Sequence, residues 1–175
     1  MFTGKGSLKR STVLSALVLA FLLCAGPALA AADIEDIPFC KYCGMDRLKF
    51  AHSRVLITYD DGTKFGACSL HCAAVDLALN IDKAPVLIEV GDLNTRELID
   101  AEKAFWVIGG DRMGVMTKRA KWAFAGREEA EKFVSEHGGT LATLDEALKA
   151  AFEDMYGDVQ MIRKKRQEMR EKKGK

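Results

Sequence analysis

Apolar and polar positions alternate in short runs along most of this chain, and the period changes where helices are expected. Residues 54–59 (Arg-Val-Leu-Ile-Thr-Tyr) are β-branched and aromatic and predict a strand. Asp60-Asp61-Gly62 is a hairpin turn signal, so residues 63–68 should return as a second strand. Over residues 70–79 Cys72, Val75 and Leu79 fall at helical spacing, and Asn80 closes the run. Residues 85–90 (Pro-Val-Leu-Ile-Glu-Val) predict a third strand. A similar order then recurs: a strand over 104–108, a Gly- and Met-rich loop over 109–117, and a short strand over 121–125. A helix over 127–137 follows, with Ala130, Phe133, Val134 and His137 on one face, stopped by Gly138-Gly139. Residues 141–144 predict the closing strand, and Asp145 is placed to cap a last helix with Leu148, Ala151, Phe152 and Met155 inward. The pattern predicts an α+β fold of two tandem ββαβ modules, at 40–95 and 103–156, with a C-terminal helix on the second.

The ends differ from this body. Lys5, Lys9 and Arg10 precede an apolar run over 13–23, and Ala28-Leu29-Ala30 fits the small-residue pattern of a secretory cleavage site. The run is shorter than the roughly 20 residues of a spanning helix. Residues 1–30 therefore read as a signal peptide, with export to the periplasm. Cys24 offers lipoprotein anchoring, and so membrane association through the N-terminus, but Leu23 stands where a lipoprotein signal wants a small residue. That is the weaker reading. Residues 31–39 read as a polar tether, and residues 157–175 as a basic tail.

Charge sharpens the division. The chain has 26 Lys and Arg against 25 Asp and Glu, net +1, and three of the basic residues lie in the signal, so removing it leaves −2. Residues 160–175 hold eight basic and two acidic side chains, which leaves 31–159 at −8. An acidic body argues against nucleic-acid binding. A solvated helix end accounts for the tail, with contact to anionic lipid or a partner as the alternative. No Ser-His-Asp order, paired-carboxylate box or phosphate-cradling glycine loop is evident, so nothing points to an enzyme of those classes.

The candidate chemistry lies in Phe39-Cys40-Lys41-Tyr42-Cys43-Gly44-Met45 and Cys68-Ser69-Leu70-His71-Cys72. Four readings compete. Cys40-x2-Cys43 with Cys68-x3-Cys72 is a plausible four-thiolate Zn(II) site, but zinc leaves Met45 idle. An oxidising compartment favours disulfides, which would make a structural module for protein contacts. A thiol–disulfide oxidoreductase wants its C-x-x-C at a helix start, whereas Cys40-x-x-Cys43 sits in a lead-in between Pro38 and Gly44. Cu(I) uses more of the residues together. Cys43 and Met45, two apart in an extended segment, would project thiolate and thioether to one side, and soft sites of two or three donors satisfy Cu(I). A third donor would come from the Gly-Met loop, through Met113 or Met116. Cys40, Cys68, His71 and Cys72 are secondary candidates.

The Cys43-Gly44-Met45 box, the segment from Phe65 to Cys72, Met113-Gly114, and the run from Ala123-Phe124 through Ala130 and Phe133 to Gly138-Gly139 together resemble the NosL family, copper accessory proteins of nitrous oxide reductase. The resemblance covers about residues 38–150. It implies two related ββαβ modules and one Cu(I) ion, held by Cys43, Met45 and Met113. It also implies delivery of that ion, through a membrane assembly or transport complex, to a copper-enzyme client. Two departures stand out: the missing lipobox, and Arg112 where the family's loop has a proline before the methionine.

Overall fold

The computed structural model describes residues 29–174. The expected signal segment up to residue 28, Cys24 included, lies outside the described residues. After helix α1 (Leu29–Asp36) come β1 (Val55–Tyr59), β2 (Lys64–Ala67), α2 (Leu70–Leu79), β3 (Pro85–Gly91) and β4 (Leu98–Asp100). The second half runs β5 (Phe105–Ile108), β6 (Lys121–Phe124), α3 (Arg127–His137), β7 (Thr140–Ala142) and α4 (Leu144–Lys173). The fold is α+β, with two antiparallel sheets ordered β2-β1-β3-β4 and β6-β5-β7. In each, the first strand of the module is central, between the second and the third. The repeated pattern in the sequence thus corresponds to a repeated topology, and β4 is an extra strand paired on the edge of the first sheet.

Alternation along β5 sorts the two cores, because successive side chains leave opposite faces of a sheet. Trp106, fully buried, joins Val55, Ile57, Cys68, Cys72, Val90 and, from α4, Leu144, Ala147 and Ala151 in one core spanning both halves. Its indole N–H donates to the Ala101 carbonyl at 2.9 Å. Val107 faces the other way, into a smaller core with Trp122, Phe124, Ala130 and Phe133 beneath α3. The sheets meet at Asp92, whose buried carboxylate accepts from the N–H groups of Asn94, Thr95 and Ala125, while the Leu93 N–H donates to the Ala123 carbonyl.

Several sequence expectations are corrected. Residues 31–39 do not form a simple tether: α1 covers most of them because Asp33 pairs with two buried arginines, Arg47 and Arg54. Asp145 does not cap the last helix. Thr143 does, accepting from the Glu146 N–H while the Glu146 carboxylate accepts from the Thr143 N–H. Phe152 faces solvent, 47% exposed, because small residues (Ala147, Ala150, Ala151) take the buried face of α4 against α2. Leu79 is exposed too, its expected place on the inner face of α2 being held by Leu70, Ala73 and Ala74. The basic tail is the solvated helix end expected, with no break at residue 157. It continues α4 to Lys173. None of the helices of the described residues is long and apolar enough to cross a membrane.

Candidate metal centre

The lead-in from Cys40 to Met45 is a tight loop, not the extended segment expected. The Gly44 N–H donates to the Cys40 carbonyl at 2.8 Å, and the Cys40 N–H to the Met45 carbonyl at 2.9 Å. Gly44 has φ +72°, a left-handed value that glycine adopts at little cost. An alternation argument for Cys43 and Met45 therefore does not apply. The loop turns both of its cysteines toward the start of α2, where Cys68 precedes the N-cap Ser69 and Cys72 lies in the first turn.

The result is a cluster in which the sulfur atoms of Cys40, Cys43, Cys68 and Cys72 all lie within 4.8 Å of one another. Cys43 Sγ is 3.3 Å from Cys68 Sγ, and Cys68 Sγ is 3.9 Å from Cys72 Sγ. All four are free thiols. Three are buried and Cys43 is half-buried. Three of the four residues that sequence reasoning ranked second, Cys40, Cys68 and Cys72, are thus brought together with Cys43, because the hairpin β1–β2 returns the chain to the loop it started from. Packed thiols titrate as a unit. Thiol hydrogen bonds from Cys43, Cys68 and Cys72 hold Cys40 far below the ordinary range. Cys43 is also lowered: Cys40 opposes its ionisation, but Cys68 and Cys72 favour it. Cys68 and Cys72 are pushed up by the thiols they face and by burial.

Asp76, one turn beyond Cys72 on α2, braces this cluster and was missed in the sequence, where it reads as one more acidic residue. Its buried carboxylate accepts from the hydroxyl of Tyr42, between the two loop cysteines, at 2.7 Å, and from Tyr59 of β1 at 2.5 Å. Burial, then the carboxylate, raises both phenol pKa values, so both stay protonated donors.

His71, expected as a secondary ligand, lies outside the sulfur cluster. Its Nδ1 faces Asp158 Oδ2 of α4 at 3.4 Å, and burial lowers its pKa against the pull of that carboxylate.

Four of the methionines share a cleft whose lining includes none of the four cysteines. Met45, Met113, Met116 and Met161 line a space of about 390 Å³ together with Phe50 and His52. Met45 is half-buried and Met113 is 75% exposed. Met116 is held at φ 62°, uncommon for a residue with a Cβ and costing roughly 1–2 kcal/mol. Strain of this kind gathers at ligand sites. Helix α4 pins the far end of the methionine loop: the Lys118 N–H donates to Asp158, and Arg119 and Lys121 pair with Asp154. Met161 comes from the same helix. Further along, Arg166 donates to the Cys43 carbonyl at 3.1 Å.

The sequence model of the NosL family matches residues 31–152. The fold is similar to the crystal structure of the copper chaperone NosL from Shewanella denitrificans, with a TM-score of 0.52 and 21% identity, over 65% of this chain and 91% of that one. No curated protein matches the sequence.

Proposed function

We propose that this chain, which belongs to the NosL family, is a periplasmic Cu(I)-binding accessory protein, not an enzyme, that hands copper to a copper enzyme under assembly. The observation that carries the reading is the shared methionine cleft. Met45 from the lead-in loop and Met113 from the second half line one space, and Met45 is two residues from the half-buried thiol of Cys43. Thiolate and thioether together are a Cu(I) donor set, and thioether is of little use to zinc. Cys43, Met45 and Met113 are the proposed ligands. The crystal structure of similar fold is that of a protein named a copper chaperone, which supports the same cargo.

The mechanism is ligand exchange. An incoming soft donor from the acceptor displaces one thioether, the ion passes without being free in solution, and Cys43 leaves last because its thiolate binds most strongly. The exposure of Met113 suits it to leave first. The acidic body favours a cationic partner face and speeds the encounter. The client is a copper enzyme, nitrous oxide reductase or another, and a membrane assembly or transport complex is the intermediary.

Competition against a Cu(I) chelator under anaerobic conditions tests the site. Met45→Ala should release copper to the chelator at lower chelator concentration than the wild type does, and an unchanged affinity overturns the three-donor site.

A further inference from the structure

We propose that Cys40, Cys43, Cys68 and Cys72 form a second centre, a tetrathiolate site for Zn2+, beside the copper site and sharing only Cys43 with it. Spacing, charge and burial point the same way. A tetrahedral ion with metal–sulfur bonds of about 2.3 Å needs sulfurs roughly 3.8 Å apart. The cluster spans 3.3 to 4.8 Å, so shifts of under about 1 Å close it. Four protein donors leave no open position, which is the mark of a structural zinc site, whereas Cu(I) is satisfied by two or three.

Charge decides between the two ions. Four thiolates around Zn2+ carry −2, and around Cu+ they would carry −3. The positive end of α2, whose first turn holds Cys72, is available to offset this. So is the buried pair Arg47 and Arg54, which carries one more positive charge than its partner Asp33 and whose Arg47 Nε donates to the Ala67 carbonyl, one residue before Cys68. The residual charge is smaller with the divalent ion.

The site has a structural consequence. It joins the 40–45 loop to the start of α2, the elements that Tyr42 and Asp76 already tie together. Binding replaces the remaining thiol protons, which leave to water, and forms four Zn–S bonds with no change of oxidation state. The ion also keeps neighbouring thiols from pairing in an oxidising compartment.

Cobalt(II) is the probe, added to the full chain under anaerobic conditions. The expected result is the intense red-region ligand-field absorption and near-ultraviolet sulfur-to-metal band of a tetrahedral thiolate centre, at one cobalt per chain and bleached by one equivalent of Zn2+. Cys40→Ala and Cys72→Ala should lose that spectrum, while Met45→Leu and Met113→Leu keep it. A weak six-coordinate spectrum in the wild type overturns the proposal. So does its loss in either methionine variant, or a zinc-free purified chain with Cys43 and Cys68 in a disulfide. If the cysteine variants do not fold, the wild-type spectrum and its zinc chase still decide. Cu(I) competition on the methionine variants is a separate readout: unchanged copper affinity with an intact cobalt spectrum sinks the copper site alone.

Discussion

Cys43 Sγ lies 3.3 Å from Cys68 Sγ, one thiol in the lead-in loop and the other at the entrance to α2. The contact exists because β2 runs antiparallel to β1 and delivers the chain back beside its own lead-in, with Val55 opposite Ala67 one residue before Cys68. Cys43 lies against three buried thiols and stands two residues before Met45, which lines the cleft.

Replacement of Cys43 by Ser should therefore be the most damaging single change to copper binding, because it removes the one thiolate proposed for that site. The expected loss is roughly a hundredfold in Cu(I) affinity, about 2.8 kcal/mol. Met113→Leu, which keeps bulk and removes only a soft donor, should cost roughly tenfold. Anaerobic chelator competition checks both, and equal effects of the two would contradict the ranking.

Tyr42→Phe tests the brace on the loop. It removes the hydroxyl that donates to Asp76 and leaves the ring, which packs on Phe65 with centroids 5.3 Å apart. A hydrogen bond to a charged group contributes about 1.5–3 kcal/mol. Metal affinity should fall several-fold while the circular dichroism of the fold is kept. Unaltered metal affinity would show that the loop holds its shape without the tyrosine.

Asp33→Ala should destabilise the whole chain. The carboxylate pairs with Arg47 at 2.7 Å and with Arg54 at 3.0 Å, and both guanidinium groups are fully buried. Burial lowers the pKa of Arg47 and Asp33 opposes that shift. Losing the partner of a buried charge costs about 3–5 kcal/mol. Urea unfolding should show the midpoint falling accordingly, and a change below about 1 kcal/mol would mean that the arginines are satisfied by the backbone carbonyls alone.

Asp154 gives stability a pH dependence. Burial pushes its carboxyl up, but hydrogen bonds from Arg119 and Lys121 outweigh burial, and the folded pKa is lowered. A lowered folded pKa stabilises above the unfolded value of about 3.9, and that stability is lost as pH falls through the folded pKa. Asp154→Asn should thus lower the Tm at pH 7 and converge on the wild type in acid, once the pH has fallen below the lowered folded pKa. Thermal melts across that range check it, and a gap that stays constant into acid would assign the loss to packing instead.

Much of the fold was legible because periodicity reports local structure. Residues 55–59 are β-branched and aromatic whatever surrounds them, and Asp60-Asp61-Gly62 favours a turn by itself. The missed elements depend on distant partners. β4 is three residues long and exists through pairing with β3. Helix α1 is tied to Arg47 and Arg54, which a reading of residues 31–39 does not include.

The sequence by itself determined the soft donors available, the repeated order of strands and helices, and the family, since those reside in residue type and spacing. Only the tertiary structure decided how the donors divide. The loop at Gly44 and the hairpin return gather four thiols in one place, and the two halves with α4 gather four methionines in another. The physical reason is that ligand grouping is a long-range property. Closing 25 residues between Cys43 and Cys68 depends on strand pairing and core burial, which spacing along the chain does not encode.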